Sequence, residues 1–583
     1  MRAPIAIALF AATMTTGALC TAVAHAEPER SPDRQETVLD RRGDLIISEV
    51  TWAAPLPASA GPHPARCDTL SYLRLRMADG PDDPADADVI YSGQPGFIGG
   101  PRSLGPIAEN TLHALARTGK HGEFWAMQRR PSCLDDRTGM VAAVDRRDYR
   151  VALDYYFHGG TVDGRTYGGV VPVGQQAFLK DLGVRSIVED WQYINAREIP
   201  DPAVRKQKIY LGGHSLGGPL TAYFAAWDFA GHAGYDEVAG LWVLDAPMQL
   251  DPADLGRVPA LKWVVDHLTG LTYQAATDLL GSGLLPYAVN LGLVDPALTG
   301  IAQALLGLNG IETNTLFQLV SIAGLAARFE PTAESDIPRS LPRAPAWDIG
   351  LSALYSRDLF RPVEPDFRTW RLTNQAMLAS LIDSSTNPTP FSAGLGSYDG
   401  PVVERNLPVP LSWFTDLPMI GPQLRTIVRP QVVPADPAGR LNGWRNYDTL
   451  AEEPAAPDAG GQPFATPQEK VCDIEQFAYY FGGGELAVGS PYDTVRTAMD
   501  IVYGVLGSKT GDLAALWHPD YLSRVPYVRL ASGLWQLASI FGIDAEPTTY
   551  LTNMRHLDFP FSGAPSNDGS PTPADALVEL TRR

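Results

Sequence analysis

The feature that most constrains this chain is a serine set among glycines, Gly213-His214-Ser215-Leu216-Gly217, with Gly212 before it and Gly218 after it. It lies between an apolar, strand-like run at 208–211 and a helical pattern at 216–229. A strand that becomes a helix within so few residues needs a tight, strained bend. Glycines at 213 and 217 remove side chains that would otherwise collide there. The bend lifts the Ser215 hydroxyl above a sheet and sets it at a helix N-terminus. There the free N–H groups and the helix dipole favour negative charge developing on oxygen.

The surrounding rhythm agrees with such a turn. Strand-like runs at 70–76, 89–91, 124–127, 208–211 and 241–244 alternate with helical spacing at 104–117, 184–196 and 216–229. That alternation predicts an α/β fold with a mostly parallel sheet. After Pro247 it stops. Residues 251–400 are rich in Leu, Ala and Gly at helical spacing, with no clear strand, and 401–468 are Pro-rich and irregular. Helical patterns return at 470–481 and 492–506, and strand candidates at 525–530 and 548–551. With 583 residues the chain is too long for one ordinary domain. The expected division is a first core segment at 67–250, a mainly helical insertion at 251–519, and a C-terminal core segment at 520–583. Pro286 and Asp295-Pro296 interrupt the very apolar stretch at 279–308, which therefore reads as helices covering something, not as a membrane span.

Residues 1–26 read as a secretory signal. Arg2 starts it, 4–23 are uncharged and apolar, and Ala24-His25-Ala26 offers a small-x-small cleavage site before Glu27. The expected destination is secretion or the cell envelope, with no integral span left after cleavage. Residues 27–66, charged and then Pro/Ala-rich, read as a loosely held arm. An exported chain can hold disulfides. Cys67 with Cys133, leaving Cys472 free, is the favoured pairing, and three unpaired thiols are the alternative. The net charge of −20 would repel a phosphate backbone, so no nucleic-acid partner is expected. No metal-ligand spacing, phosphate loop or dinucleotide fingerprint stands in the sequence, so no cofactor and no metal are expected.

The run Gly-His-Ser-Leu-Gly-Gly at 213–218 resembles the nucleophile elbow of the α/β-hydrolase superfamily, in the form typical of its lipases and esterases. Pro95-Gly96-Phe97-Ile98-Gly99-Gly100 and Trp125 with Arg129-Arg130 extend the likeness to poorly characterised exported bacterial hydrolases. The insertion lies where such enzymes keep a lid or cap, and an ordinary helical subdomain packed on itself is the alternative. The resemblance covers about 67–250 and 520–583 and implies an α/β-hydrolase fold with Ser215 as nucleophile. It also implies two oxyanion donors, the N–H of Leu216 and an N–H in the Gly-rich loop, for which Phe97 is the choice. That loop carries Pro95-Gly96 where the superfamily often has His-Gly.

In this superfamily the acid and then the histidine follow the serine. His232 lies just past the elbow helix, His267 sits in an apolar helical stretch, and His518 precedes the penultimate strand. His556 follows the last strand candidate, where the superfamily carries its base. The usual place for the acid holds Ala531-Ser532-Gly533-Leu534, with no carboxylate. Asp245, ending the strand after the elbow helix, is the expected acid, with Asp416 and Asp544 in reserve. The implied activity is hydrolysis of small-molecule carboxylic esters, lipids among them, through an acyl-enzyme. The same triad would serve a peptidase or an acyltransferase. The competing reading is a non-catalytic envelope binding protein on this scaffold. Two lesser expectations are an ion-pair set of Arg129-Arg130 with Asp135-Asp136, and surface packing for Tyr155-Tyr156-Phe157-His158.

Overall fold

The apolar runs assemble into one nine-stranded sheet in a computed structural model of the protein. The structure describes residues 33–248, 296–297, 313–358, 361–387, 392–405, 431–505, 511–540 and 546–583, except 453, 456, 458–460, 462, 564, 565 and 568. The leader at 1–26, the stretch at 251–295 with His267, and the reserve acids Asp416 and Asp544 lie outside the described residues.

The strands are β1 (Arg34–Arg42), β2 (Leu45–Ala53), β3 (Thr69–Met77), β4 (Val89–Gln94), β5 (Gly122–Met127), β6 (Ile209–His214), β7 (Gly240–Leu244), β8 (Tyr527–Ala531) and β9 (Thr549–Tyr550). Their order is β1-β2-β3-β5-β4-β6-β7-β8-β9. From β5 to β9 all pairs are parallel, and the three pairs from β1 to β5 are antiparallel. The sheet is therefore mixed. Its central strands β4, β5 and β7 are buried at every residue, as parallel strands covered on both faces should be. Helices α1 (Gly105–Ala116), α2 (Thr138–Arg146), α3 (Tyr149–Phe157), α4 (Val184–Glu198) and α5 (Gly217–Ala226) fill the connections.

The expected loose arm is corrected. Residues 34–53 are β1 and β2, and β2 buries Leu45, Ile47, Val50 and Trp52. Charged residues in β1 gave the impression of an arm, but they are what an exposed sheet edge carries to discourage further pairing. Arg34 and Trp52 both bond the Glu198 carboxylate at the end of α4, tying these strands to the helical layer.

Strands β7 and β8 are neighbours in space, yet Leu244 and Tyr527 stand far apart in the chain. Among the described residues between them are α6 (Thr313–Phe329), α7 (Pro345–Tyr355), α8 (Asn374–Ile382), α9 (Ile474–Phe481) and α10 (Val495–Val505). Short two-stranded ribbons also occur, Gly396–Tyr398 with Trp444–Asn446 and Val402–Glu404 with Val432–Pro434, and the strand Gly396–Tyr398 falls inside the stretch 251–400 that was expected to lack strands. Helices α6 to α9 share an apolar core with α2 and α3, built around residues such as Ile322, Leu354, Trp370 and Phe477. Tyr155 and Tyr156 lie inside this core, not on the surface, because their hydroxyls find Asp136 as a partner.

Cys67, just before β3, is disulfide-bonded to Cys133 after β5, and Cys472 is a free, buried thiol. No helix among the described residues is long and apolar enough to cross a membrane.

Candidate active site

Strand β6 ends at His214, α5 begins at Gly217, and Ser215 makes the bend between them with φ of 54°. That is left-handed backbone, costly for a residue with a side chain, and it persists only because its surroundings hold it. The Ser215 N–H donates to the Leu244 carbonyl at 3.0 Å, and its own carbonyl accepts the Gly218 N–H at 2.9 Å. A Cβ on Gly213 would come within 2.6 Å of the Gln94 carbonyl oxygen, and one on Gly217 within 2.3 Å of the same atom. Both positions require glycine because the end of β4 packs directly on the turn.

Asp245 directly follows β7 and also has left-handed backbone, with φ of 49°. Its N–H donates to Leu530 at 2.8 Å, which fixes it against β8. The buried carboxylate accepts from His556 Nδ1 at 2.7 Å through one oxygen and from the Ser532 N–H at 2.6 Å through the other. Burial pushes the carboxyl pKa up, but the His556 hydrogen bond and charge, with the Ser532 amide, outweigh it and leave the pKa below its ordinary value. An ionised Asp245 keeps the proton on Nδ1, so Nε2 becomes the basic nitrogen of the neutral ring.

The His556 loop is braced from two sides. His214 donates from Nε2 to the His556 carbonyl at 2.8 Å, and the two rings lie 4.6 Å apart. Burial, reinforced by the His556 charge, lowers the His214 pKa to about 3, so its ring stays neutral. Asp558 accepts the Arg555 N–H and the Gly394 N–H, each at 2.7 Å, and the Cys472 thiol at 3.3 Å. His214 carries a pH consequence. The unfolded chain protonates this imidazole near 6.5 and the folded one only near 3, so the unfolded state binds the extra proton in that window. Stability therefore falls as pH drops through it. In thermal melts from about pH 7 to about pH 4, wild type is expected to lose Tm more steeply than His214→Gln, which keeps a donor for the His556 carbonyl but cannot titrate.

The Gly-rich loop leaves β4 at Gln94 and reaches the serine. A Cβ on Gly96 would lie 3.1 Å from Ser215 Cβ. Ile98 has φ of 51° and donates its N–H to Asp493 Oδ2 at 2.6 Å. Arg129 gathers the rest of the loop, donating to the carbonyls of Pro95 (3.0 Å), Gly96 (2.7 Å) and Gly99 (3.1 Å) and to both oxygens of Asp493. The expected pairing of Arg129-Arg130 with Asp135-Asp136 is thus corrected. Arg129 pairs with Asp493, and Arg130 with Asp190 at 2.7 Å. Among the described residues, no protein acceptor takes the N–H of Phe97 or of Leu216.

A cavity of about 150 Å³ joins these parts. Ser215, His556, His214, Gly96 and Phe97 stand in its wall, with Asp245 behind His556. Leu216 is not in the wall, and its side chain packs on a separate apolar core. The structure therefore brings a serine on a strained turn, an imidazole bonded to a buried carboxylate, and a glycine loop to one apolar space. Residues that sequence reasoning missed are His214, Arg129, Asp493, Ser532 and Asp558. Ser532 had a visible signal, since it follows a strand beside β7. Asp493 had none, standing far from Arg129 in the chain.

Comparison with known proteins adds little. No protein-family model matches the chain, and no curated protein matches it. Solved structures align with parts of it, among them the following three. A candidate acetyl xylan esterase from Bacteroides fragilis is 14% identical over 37% of this chain and 48% of its own, with a TM-score of 0.19. Juvenile hormone epoxide hydrolase from the silkworm Bombyx mori is 13% identical over 50% and 52%, with a TM-score of 0.22. DcsB in complex with its substrate analogue is 17% identical over 41% and 54%, with a TM-score of 0.15. The chain thus spans about half the length of each of these three structures. Likenesses this partial carry no weight for assignment, and the α/β character rests on the sheet itself.

Proposed function

We propose that the protein is an exported serine hydrolase of carboxylic esters, lipid esters among them, on an α/β-hydrolase fold. The observation that carries this reading is the 2.7 Å pair of His556 Nδ1 with the buried Asp245, in a cavity wall shared with Ser215 on its strained turn. In the proposed cycle, Ser215 Oγ attacks the acyl carbon while His556 Nε2 takes its proton. The oxyanion is received by the N–H groups of Phe97 and Leu216. His556 then gives the proton to the leaving alcohol, and Asp245 stabilises the imidazolium without itself being protonated. Water, deprotonated by His556, releases the acid and restores Ser215. The Cys67–Cys133 disulfide supports the exported part of the reading, because such bonds persist in oxidising compartments.

The test is hydrolysis of a p-nitrophenyl ester by the purified protein and by Ser215→Ala. The variant is expected to lose about 10⁶-fold in kcat with its thermal melt unchanged. A variant as active as wild type would remove Ser215 from the chemistry.

A further inference from the structure

The cavity beside Ser215 has a wall of one chemical kind. Leu316, Phe317 and Val320 come from α6, Leu354 from α7, Leu381 and Ile382 from α8, and Phe481 from α9. Ile98 and Phe561 also stand in the wall. Apart from its two histidines, no titratable side chain stands in the wall among the described residues. Besides Ser215, its other polar side chains are Ser103, whose hydroxyl donates to the Gly100 carbonyl at 2.7 Å, and Asn387, whose amide donates to the Leu381 carbonyl at 2.7 Å. The Ser103 hydroxyl hydrogen and one of the two Asn387 amide hydrogens are therefore taken up by the protein. An uncharged hydrocarbon group entering this space exchanges water for carbon contacts. A charged group would lose its hydration and find no counter-ion among the described residues of the wall.

Resting on the proposed hydrolase reading, we infer that this cavity is the binding site for a neutral hydrocarbon portion of the ester, about six carbons long. The length follows from size. An apolar cavity of about 150 Å³ is known to stay dry and to take up benzene, a six-carbon guest. The site would accept an alkyl or small aryl group and reject a carboxylate or ammonium at the same distance from the ester. The segment between β7 and β8 would thereby set which esters are turned over, while the core supplies the reacting groups.

Two ester series test this on the full-length protein. In one, p-nitrophenyl esters run from acetyl to decanoyl. In the other, acetate esters carry alcohols of the same lengths. In one of the two series kcat/KM should rise by about fourfold per methylene, the worth of a buried CH₂, and level off near six to eight carbons. The series that rises tells whether the acyl or the alcohol side occupies the cavity. In the acyl series, a hemisuccinyl ester should react about 100-fold more slowly than hexanoyl. Leu316→Trp and Val320→Phe, which narrow the space, should each lower the hexyl-to-methyl rate ratio by about tenfold. Labelling of Ser215 by a small methyl fluorophosphonate serves as the control. Flat dependence in both series, or a rising acyl series together with fast hydrolysis of the hemisuccinyl ester, with Ser215 still labelled overturns the cavity assignment and leaves the hydrolase reading standing. No labelling in wild type removes both.

Discussion

Asp245→Asn is expected to lower kcat by about 10⁴-fold while leaving the fold intact. The carboxylate takes two hydrogen bonds that an amide cannot both reproduce, one from His556 Nδ1 at 2.7 Å and one from the Ser532 N–H at 2.6 Å. An asparagine that keeps its oxygen toward Ser532 turns its NH₂ toward the ring. His556 must then accept there, so its proton moves to Nε2. That tautomer cannot take a proton from Ser215, and the negative charge that steadies the imidazolium is gone. The loss should fall on kcat and leave KM nearly unchanged, because Asp245 lies behind His556, out of reach of substrate. Steady-state kinetics with a circular-dichroism control reads both quantities. A rate near wild type would move the acid's role to another residue.

The second large effect concerns Arg129 and Asp493. Both side chains are almost fully buried, at 3% and 7% exposure, so neither charge can fall back on water. Arg129→Met leaves Asp493 buried without its counter-ion and should cost about 3–5 kcal/mol of stability. Removing both charges together, with Arg129→Met and Asp493→Leu, should restore much of that stability, since buried pairs often exchange for apolar side chains with little loss. Activity should not follow. The carbonyls of Pro95, Gly96 and Gly99 and the Ile98 N–H lose the partners that shape the loop carrying Phe97. In the proposed mechanism that loop presents an oxyanion donor, and losing one such donor costs about 10²–10³ in kcat. The double variant should therefore regain Tm but stay slow, with KM little changed. Recovery of the wild-type kcat would show that the loop keeps its geometry without the pair.

What could be read from the chain and what could not follows from how far each signal reaches. The elbow was legible because its strand, turn and helix lie within about twenty residues, and their periodicity and glycines are local properties. Asp245 and His556 were reachable because chain order narrows the choice, and the structure brings them into contact across 311 positions. The charged strand β1 was misread because edge strands and loose arms share a composition, and only pairing with β2 separates them. Arg129 was assigned to acids near it in sequence, whereas its partner lies 364 positions away. No local pattern encodes such a pairing. The same holds for the apolar cavity wall, whose members come from four helices that look alike as sequences but meet only once packed.

The proposed chemistry turns on activation of the Ser215 hydroxyl by the His556–Asp245 pair. Its most direct test is a fluorophosphonate reaction with the purified protein, followed by mass spectrometry of the peptides. One phosphonyl group per chain is expected, located on Ser215, with a labelling rate that collapses in His556→Ala. An adduct on another residue, no adduct at all, or labelling as fast without the imidazole would contradict it.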